Sequence, residues 1–146
     1  MNPVFRNPDL FQRLPWREWL RREMPAGPEG WVAEDLDLIV RRYMSSDPVG
    51  RFMLVELKYG EAGLGEAQIR TFGLVDGLLR AADPQGRRYL GYYLLQYPEL
   101  DWERCHGFKV NGLPLSAQGL KKWLVMEIIL PAYRFPPLSF NEEETR

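Results

Sequence analysis

The sequence predicts a mixed α/β fold, a β-sheet flanked by helices in which one helix crosses between two strands. Three observations predict it. Two neighbouring segments, 31–43 and 51–59, carry the period-2 alternation of strands. A long amphipathic stretch, 66–82, follows them, bounded by a glycine-containing loop and by Asp83-Pro84. Residues 88–96 are then apolar on both parities, as suits a central strand covered on two faces.

Each element has a local reason. Asn7-Pro8-Asp9 is a helix start, with Asn7 as cap and Pro8 at the first helical position. Pro15 interrupts, so a fresh helix is expected over 16–24 with Trp16, Trp19, Leu20 and Met24 on its apolar face. Residues 25–30 are a loop on composition. In 31–43, Val32, Leu36, Leu38 and Val40 share one parity, and Ala33, Asp35, Asp37 and Ile39 the other. Turn chemistry at 45–50 joins this strand to 51–59 as a hairpin. There Phe52, Leu54, Glu56 and Lys58 project from one face, and Met53, Val55 and Leu57 from the other. Gly60, Gly63 and Gly65 form a connector to the helix over 66–82, whose inward stripe reads Gln68, Phe72, Val75, Leu79. Residues 98–114 read as irregular, and Ser116 caps a last helix that runs to Leu130 and stops at Pro131. The order is helix, strand, strand, helix, strand, helix.

The 146 residues suffice for one domain, with its core at about 16–130 and a loose acidic tail at 136–146. Hydrophobic residues make up 45% and charged residues 27%, an ordinary globular composition. A net charge of −1 argues against a protein that coats nucleic acid wholesale. It leaves room for an acidic metal site ringed by local basic residues. Cys105 is the single cysteine, so no internal disulfide forms and a reducing, cytoplasmic setting is expected. The N-terminus lacks an apolar signal core, and the longest apolar run, near 124–130, is broken by Glu127, so no membrane span is expected.

The chemistry is concentrated in Glu34-Asp-Leu-Asp-Leu-Ile-Val and Phe52-Met-Leu-Val-Glu-Leu-Lys-Tyr59. Glu56 and Lys58 leave the same face of one strand end, and the hairpin brings Asp37 beside them. Two carboxylates supply the hard oxygen ligands that Mg²⁺ or Mn²⁺ prefers. Such an ion polarises a phosphodiester and lowers the pKa of an attacking water. A lysine ammonium beside the scissile phosphate stabilises charge as it develops.

Asp37-Leu-Ile-Val followed by Val55-Glu56-Leu57-Lys58 resembles the PD-(D/E)xK nuclease superfamily. The resemblance covers roughly 16–96 and implies a restriction-endonuclease-like core. It also implies a phosphodiester hydrolase with Asp37 and Glu56 as metal ligands, Lys58 as the catalytic cation and DNA as substrate, branched or single-stranded forms included. Gln68, early in the following helix, matches the glutamine that RecB-like, virus-type repair and Holliday-junction-resolving branches aim at the site. Asp37 is preferred to Asp35 because three apolar residues follow it, as in the superfamily. Many members add a glutamate from the first helix, for which Glu18 and Glu23 are both candidates. Three features depart from the pattern: Leu36 stands where a proline is common, Phe72 where RecB-like members have tyrosine, and only 25–34 is left for a first strand. Superfamily enzymes that cut two strands commonly pair, so a homodimer is an expectation too.

The bland alternatives are a solvated hairpin with a Glu56–Lys58 ion pair, and a Gln68 that bonds only to its own helical turn. A nuclease fold whose site is idle and whose role is binding is the competing function; an RNA-processing member is a third. Arg41, Arg70 and Arg88 are the leading candidates for nucleic-acid contact, with Arg42, Arg51, Arg87, Lys121 and Lys122 behind them. Trp19, Trp123 and Tyr93 fit core positions better than base-stacking ones. His106 next to Cys105 reads as structural, since sequence neighbours rarely face each other as a nucleophile and its base.

Overall fold

The second strand of the hairpin is buried on both sides and organises everything around it. The computed structural model describes residues 34–99 and 106–137, together with Trp19, Arg22 and Glu23. In it β2 (Asp47–Tyr59) buries Met53, Leu54, Val55 and Glu56 in succession. β1 (Leu38–Met44) pairs with β2 antiparallel, Leu38 opposite Val55 and Arg41 opposite Phe52. β1 starts at Leu38, later than 31–43 suggests. The hairpin turn is Ser45-Ser46, so β2 begins at Asp47 and not at Arg51. The turn-forming residues Asp47, Pro48 and Gly50 lie instead opposite an irregularity between Arg42 and Met44. Gly50 has φ +77° there, and a Cβ would collide with the Arg42 carbonyl.

α1 (Glu66–Ala82) has the predicted bounds. Asp83 ends it: its N–H bonds to Leu79 O at 3.0 Å, and its carboxylate accepts the N–H groups of Arg87, Arg88 and Tyr89. Those three donors hold the Asp83 carboxyl below its usual range and fix the exit into β3 (Tyr89–Tyr97). β3 lies parallel to β2, with Val55 opposite Tyr93 and Lys58 opposite Gln96. A parallel pair needs a crossover, and α1 is that crossover.

The stretch 98–114 is not irregular throughout. It contains β4 (Phe108–Val110), antiparallel to β3, and β5 (Leu113–Leu115), antiparallel to β4. Asn111 at φ 50° and Gly112 at φ 82° make the turn, the two left-handed positions that a tight hairpin needs. The sheet order is therefore β1-β2-β3-β4-β5, a mixed five-stranded sheet. α2 (Ala117–Leu124) starts at the predicted cap, Ser116, whose Oγ accepts Gly119 N–H at 3.0 Å. It stops six residues short of Leu130, after which Met126 adopts φ 62°. The physical reason is tertiary. The chain must fold back along β3, where Tyr93 Oη bonds Leu130 O, Tyr133 N–H bonds Tyr92 O and Asn111 Nδ2 bonds Pro131 O.

Two apolar clusters sit on opposite faces of the sheet. Met53, Val55, Tyr93, Leu95, Phe108 and Val110 pack with Leu120 and Trp123 of α2. Leu54, Tyr89 and Tyr92 pack with Phe72 of α1, with Tyr133 and Phe135 at their margin. Trp123 and Tyr93 are thus core residues as expected, whereas Trp19 is half exposed. By contacts the chain divides into Met1–Glu34 and Asp35–Arg146, and the sheet belongs to the second unit. The helix expected over 16–24 and the short first strand over 25–34 lie almost wholly outside the described residues, as does most of the tail. Among the described residues no helix is long and apolar enough to cross a membrane.

Gly91 shows how closely the returning segment is seated. It has φ +128°, and a Cβ would strike the Ala132 side chain and lie 3.1 Å from Arg80. Gly91→Ala is expected to cost roughly 2–4 kcal/mol, since backbone strain and overpacking add. Urea unfolding followed by tryptophan fluorescence checks this; a midpoint within error of wild type contradicts it.

Candidate metal-binding site

The β1–β2 ladder ends at Leu38 and Val55, and the residues just beyond are Asp37 and Glu56. Asp37 continues the ladder with its side chain, as its Oδ2 accepts the Leu57 N–H at 2.8 Å. A carboxylate thus takes a main-chain donor at the strand end, which anchors it next to Glu56. Glu56 is 5% exposed, held inside by the α1 face of β2. Its Oε1 accepts from Gln68 Nε2 at 3.1 Å, while the buried Oε2 meets no donor among the described residues and, when it carries a proton, bonds to the Asp37 carboxylate. A buried carboxylate oxygen that meets no donor is costly, so this group resists ionisation. Burial, and then the neighbouring Asp37 carboxylate, push Glu56 up to about 7, against the pull of the Lys58 ammonium.

Gln68, expected to help position Lys58 or the attacking water, makes its contacts instead with its own helical turn and with Glu56. Its Oε1 accepts the Gly65 N–H at 3.0 Å, closing the first turn of α1, and its amide nitrogen reaches Glu56. The two partners fix which end of the amide is which. Gln68 is therefore a positioning residue: the start of α1 holds the Glu56 side chain in place. Lys58 lies on the same face, half-buried, two residues along the strand.

Asp37, Glu56, Lys58 and Gln68 are brought to one end of the sheet. Other candidates are placed elsewhere or bound up. Asp35 is exposed. Glu23 is half exposed with Arg22 Nε at 3.3 Å, and Glu18 lies outside the described residues. Arg41 stacks over Tyr43 at 5.2 Å, and Arg70 pairs with Glu66 at 2.6 Å in the open. Arg88 is tied to Asp47 at 2.6 and 2.7 Å and to Gly50 O, so it braces the start of β2. Arg42 donates to Val125 O behind the sheet. His106 is exposed; Cys105 lies outside the described residues.

Sequence reading missed Asp76. The inward stripe of α1 passes through Asp76 and not Val75, which is 38% exposed against 5% for Asp76. Its carboxylate accepts from Tyr89 Oη at 2.6 Å and from Arg80 Nε at 2.9 Å, a buried acid and phenol with a half-exposed guanidinium at their edge. Burial and that bond to Asp76 raise the Tyr89 hydroxyl well above its ordinary value, so it stays a donor. The only signal was spacing, since Asp76 follows Phe72 by four residues, and hydrophobicity favoured its neighbour.

A divalent cation fits the donor set present. Glu56 Oε2 meets no donor among the described residues, Asp37 supplies a second hard oxygen, and the two adjacent carboxyls repel once both are ionised unless a cation joins them. The set is small: among the described residues no group of three or more His, Cys, Asp or Glu side chains converges. Compared with protein-family models, with curated proteins and with solved structures, the chain has no match.

Proposed function

We propose that the chain is a divalent-metal-dependent nuclease with a restriction-endonuclease-like core, acting on DNA. The observation that carries this is the buried Glu56 carboxyl, with one oxygen that meets no donor among the described residues, against Asp37 and on the face of Lys58. A soluble hairpin gains nothing from keeping a carboxylate in that state, whereas catalytic sites commonly do. The fold is compatible: an antiparallel hairpin, a crossing helix and a parallel strand set these residues at one sheet end.

Asp37 and Glu56 would hold Mg²⁺ or Mn²⁺. When bound, that ion supplies charge to the phosphodiester and acidifies the attacking water. The chain's own groups do the rest. Gln68 fixes the rotamer of Glu56, the Leu57 N–H orients Asp37, and Lys58 places a positive charge beside the phosphoryl oxygens. Hydrolysis forms a bond from water oxygen to phosphorus and breaks one ester bond, whose oxygen leaves with a proton.

The test is incubation of linear, circular, single-stranded, flap and four-way DNA with Mg²⁺ or Mn²⁺. Cleavage is expected with wild-type protein, is lost in EDTA, and falls at least about 10²-fold in Glu56→Ala. No cleavage of any substrate, or full activity in Glu56→Ala, refutes the reading. The two-carboxylate set favours one second reading, a binding module with an idle site. Calorimetry separates them: an idle site takes up Mn²⁺ weakly, and Asp37→Asn leaves that uptake unchanged.

A further inference from the structure

The register of the sheet lines up a row of polar side chains beyond the site. Lys58 pairs with Gln96 on β3, and Gln96 pairs with Lys109 on β4. Paired positions project from the same face, so Lys58, Gln96 and Lys109 form one row across three strands. The alternation agrees: Leu95, Phe108 and Val110 point into the cluster on the α2 face, which turns Gln96 and Lys109 toward the face that carries Glu56. With strands about 4.8 Å apart, Lys58 and Lys109 stand roughly 10 Å apart at the backbone.

A cleft of about 170 Å³ opens over the far end of this row, lined by Tyr59, Gly60, Glu61, Gln96 and Lys109 among others. The connector from β2 to α1 forms one wall. It is pinned there by Gly60 N–H to Tyr97 O at 2.8 Å and by Gln96 Nε2 to Ala62 O at 2.9 Å. Glu61, 92% exposed on that connector, places Oε1 3.8 Å from the Lys109 ammonium. An exposed pair at that distance contributes under about 1 kcal/mol and is readily exchanged for another anion.

We propose that this cleft is a second phosphate subsite, taking a backbone phosphate next along the strand from the scissile one. Lys109 is its cation, and Glu61 is an internal competitor for that cation. The inference rests on the nuclease reading above and adds the direction in which the strand leaves the site, from Lys58 across Gln96 toward Lys109. Glu61 then acts as an electrostatic filter, since a ligand must replace its carboxylate to occupy the cleft. A polyanionic strand does so at low cost because several phosphates act together.

The test measures binding of a short fluorescein-labelled single-stranded DNA to the full chain by anisotropy in EDTA, across a potassium chloride series. Lys109→Ala is expected to weaken binding roughly 5- to 10-fold and to flatten the log Kd against log salt slope by about 0.7, one phosphate contact on a single strand. Lys109→Gln repeats this while keeping the stem. Glu61→Gln is expected to tighten binding about 2- to 5-fold, and to do nothing once Lys109 is replaced. If wild type binds but both Lys109 variants keep its affinity and slope, the subsite is wrong and the nuclease reading stands. If Glu61→Gln still tightens binding in the Lys109→Ala background, Glu61 acts through its charge alone and the competitor role falls. If wild type binds neither DNA nor the matching RNA, the subsite is wrong, and the nuclease reading falls with it only if cleavage with Mg²⁺ or Mn²⁺ fails as well.

Discussion

In EDTA at about pH 8, Glu56→Gln is expected to unfold at a higher temperature than wild type, and at about pH 5 the difference narrows. The Glu56 carboxyl has its pKa raised from 4.5 to about 7 in the folded protein. Between those values the folded chain holds a proton that the unfolded chain releases. That contribution to stability is fully present below 4.5 and is lost as pH rises through 7. Above it, the folded chain must carry a buried anion next to Asp37. Glutamine keeps the shape and can still accept from Gln68 through its own carbonyl oxygen, while removing the charge. Discounted for the solvent that reaches the strand end, the gain at alkaline pH is on the order of 2 kcal/mol, or several degrees in Tm. The same substitution should abolish metal-dependent cleavage, because stability and activity then make opposite demands on one side chain. Calorimetric melting across a pH series checks this. A variant that is less stable than wild type at about pH 8 would sink the idea that Glu56 is held for chemistry.

Lys58→Ala is expected to lower kcat by about 10²–10³-fold, the usual consequence of removing one preorganised cation or donor from a charged transition state. Lys58→Arg should retain part of the rate, since the charge stays while its position shifts. A structural lysine predicts something different: loss of stability with little loss of rate per folded molecule. The pH–rate profile supplies a second readout. The Lys58 ammonium opposes the upward shift of Glu56. Without it Glu56 ionises at higher pH, so the alkaline-going rise in residual activity should move upward in Lys58→Ala. A profile that moves downward, or a full rate in Lys58→Ala, contradicts the assignment.

Much of the site could be read from the chain because it depends on local periodicity. Alternation along 52–58 places Glu56 and Lys58 on one face whatever the rest of the fold does. Gln68 was legible because a helix start followed directly on a glycine-containing connector. Asp37 needed one more fact, the hairpin register, which turn chemistry supplied even though the actual turn is Ser45-Ser46. The hairpin of β4 and β5 carried a readable signal, Asn111-Gly112 between apolar residues, that the prolines around it obscured. Lys109 was invisible without that hairpin, because a residue has no face until its strand exists.

The sequence by itself determined the α/β class, the bounds of α1, the two-sided burial of β3 and the shared face of Glu56 and Lys58. Each follows from spacing within one segment. Tertiary structure alone decided three things. It cut α2 at Leu124, because the returning segment had to bond Tyr92, Tyr93 and Asn111. It put Asp76 inside, because Tyr89 Oη and Arg80 Nε converge there to satisfy it. And it left Glu56 with a buried oxygen that meets no donor among the described residues, which arises only when α1 closes over the end of β2 and strips much of the water from the carboxyl. Spacing places a side chain on a face; the element packed against that face sets its charge.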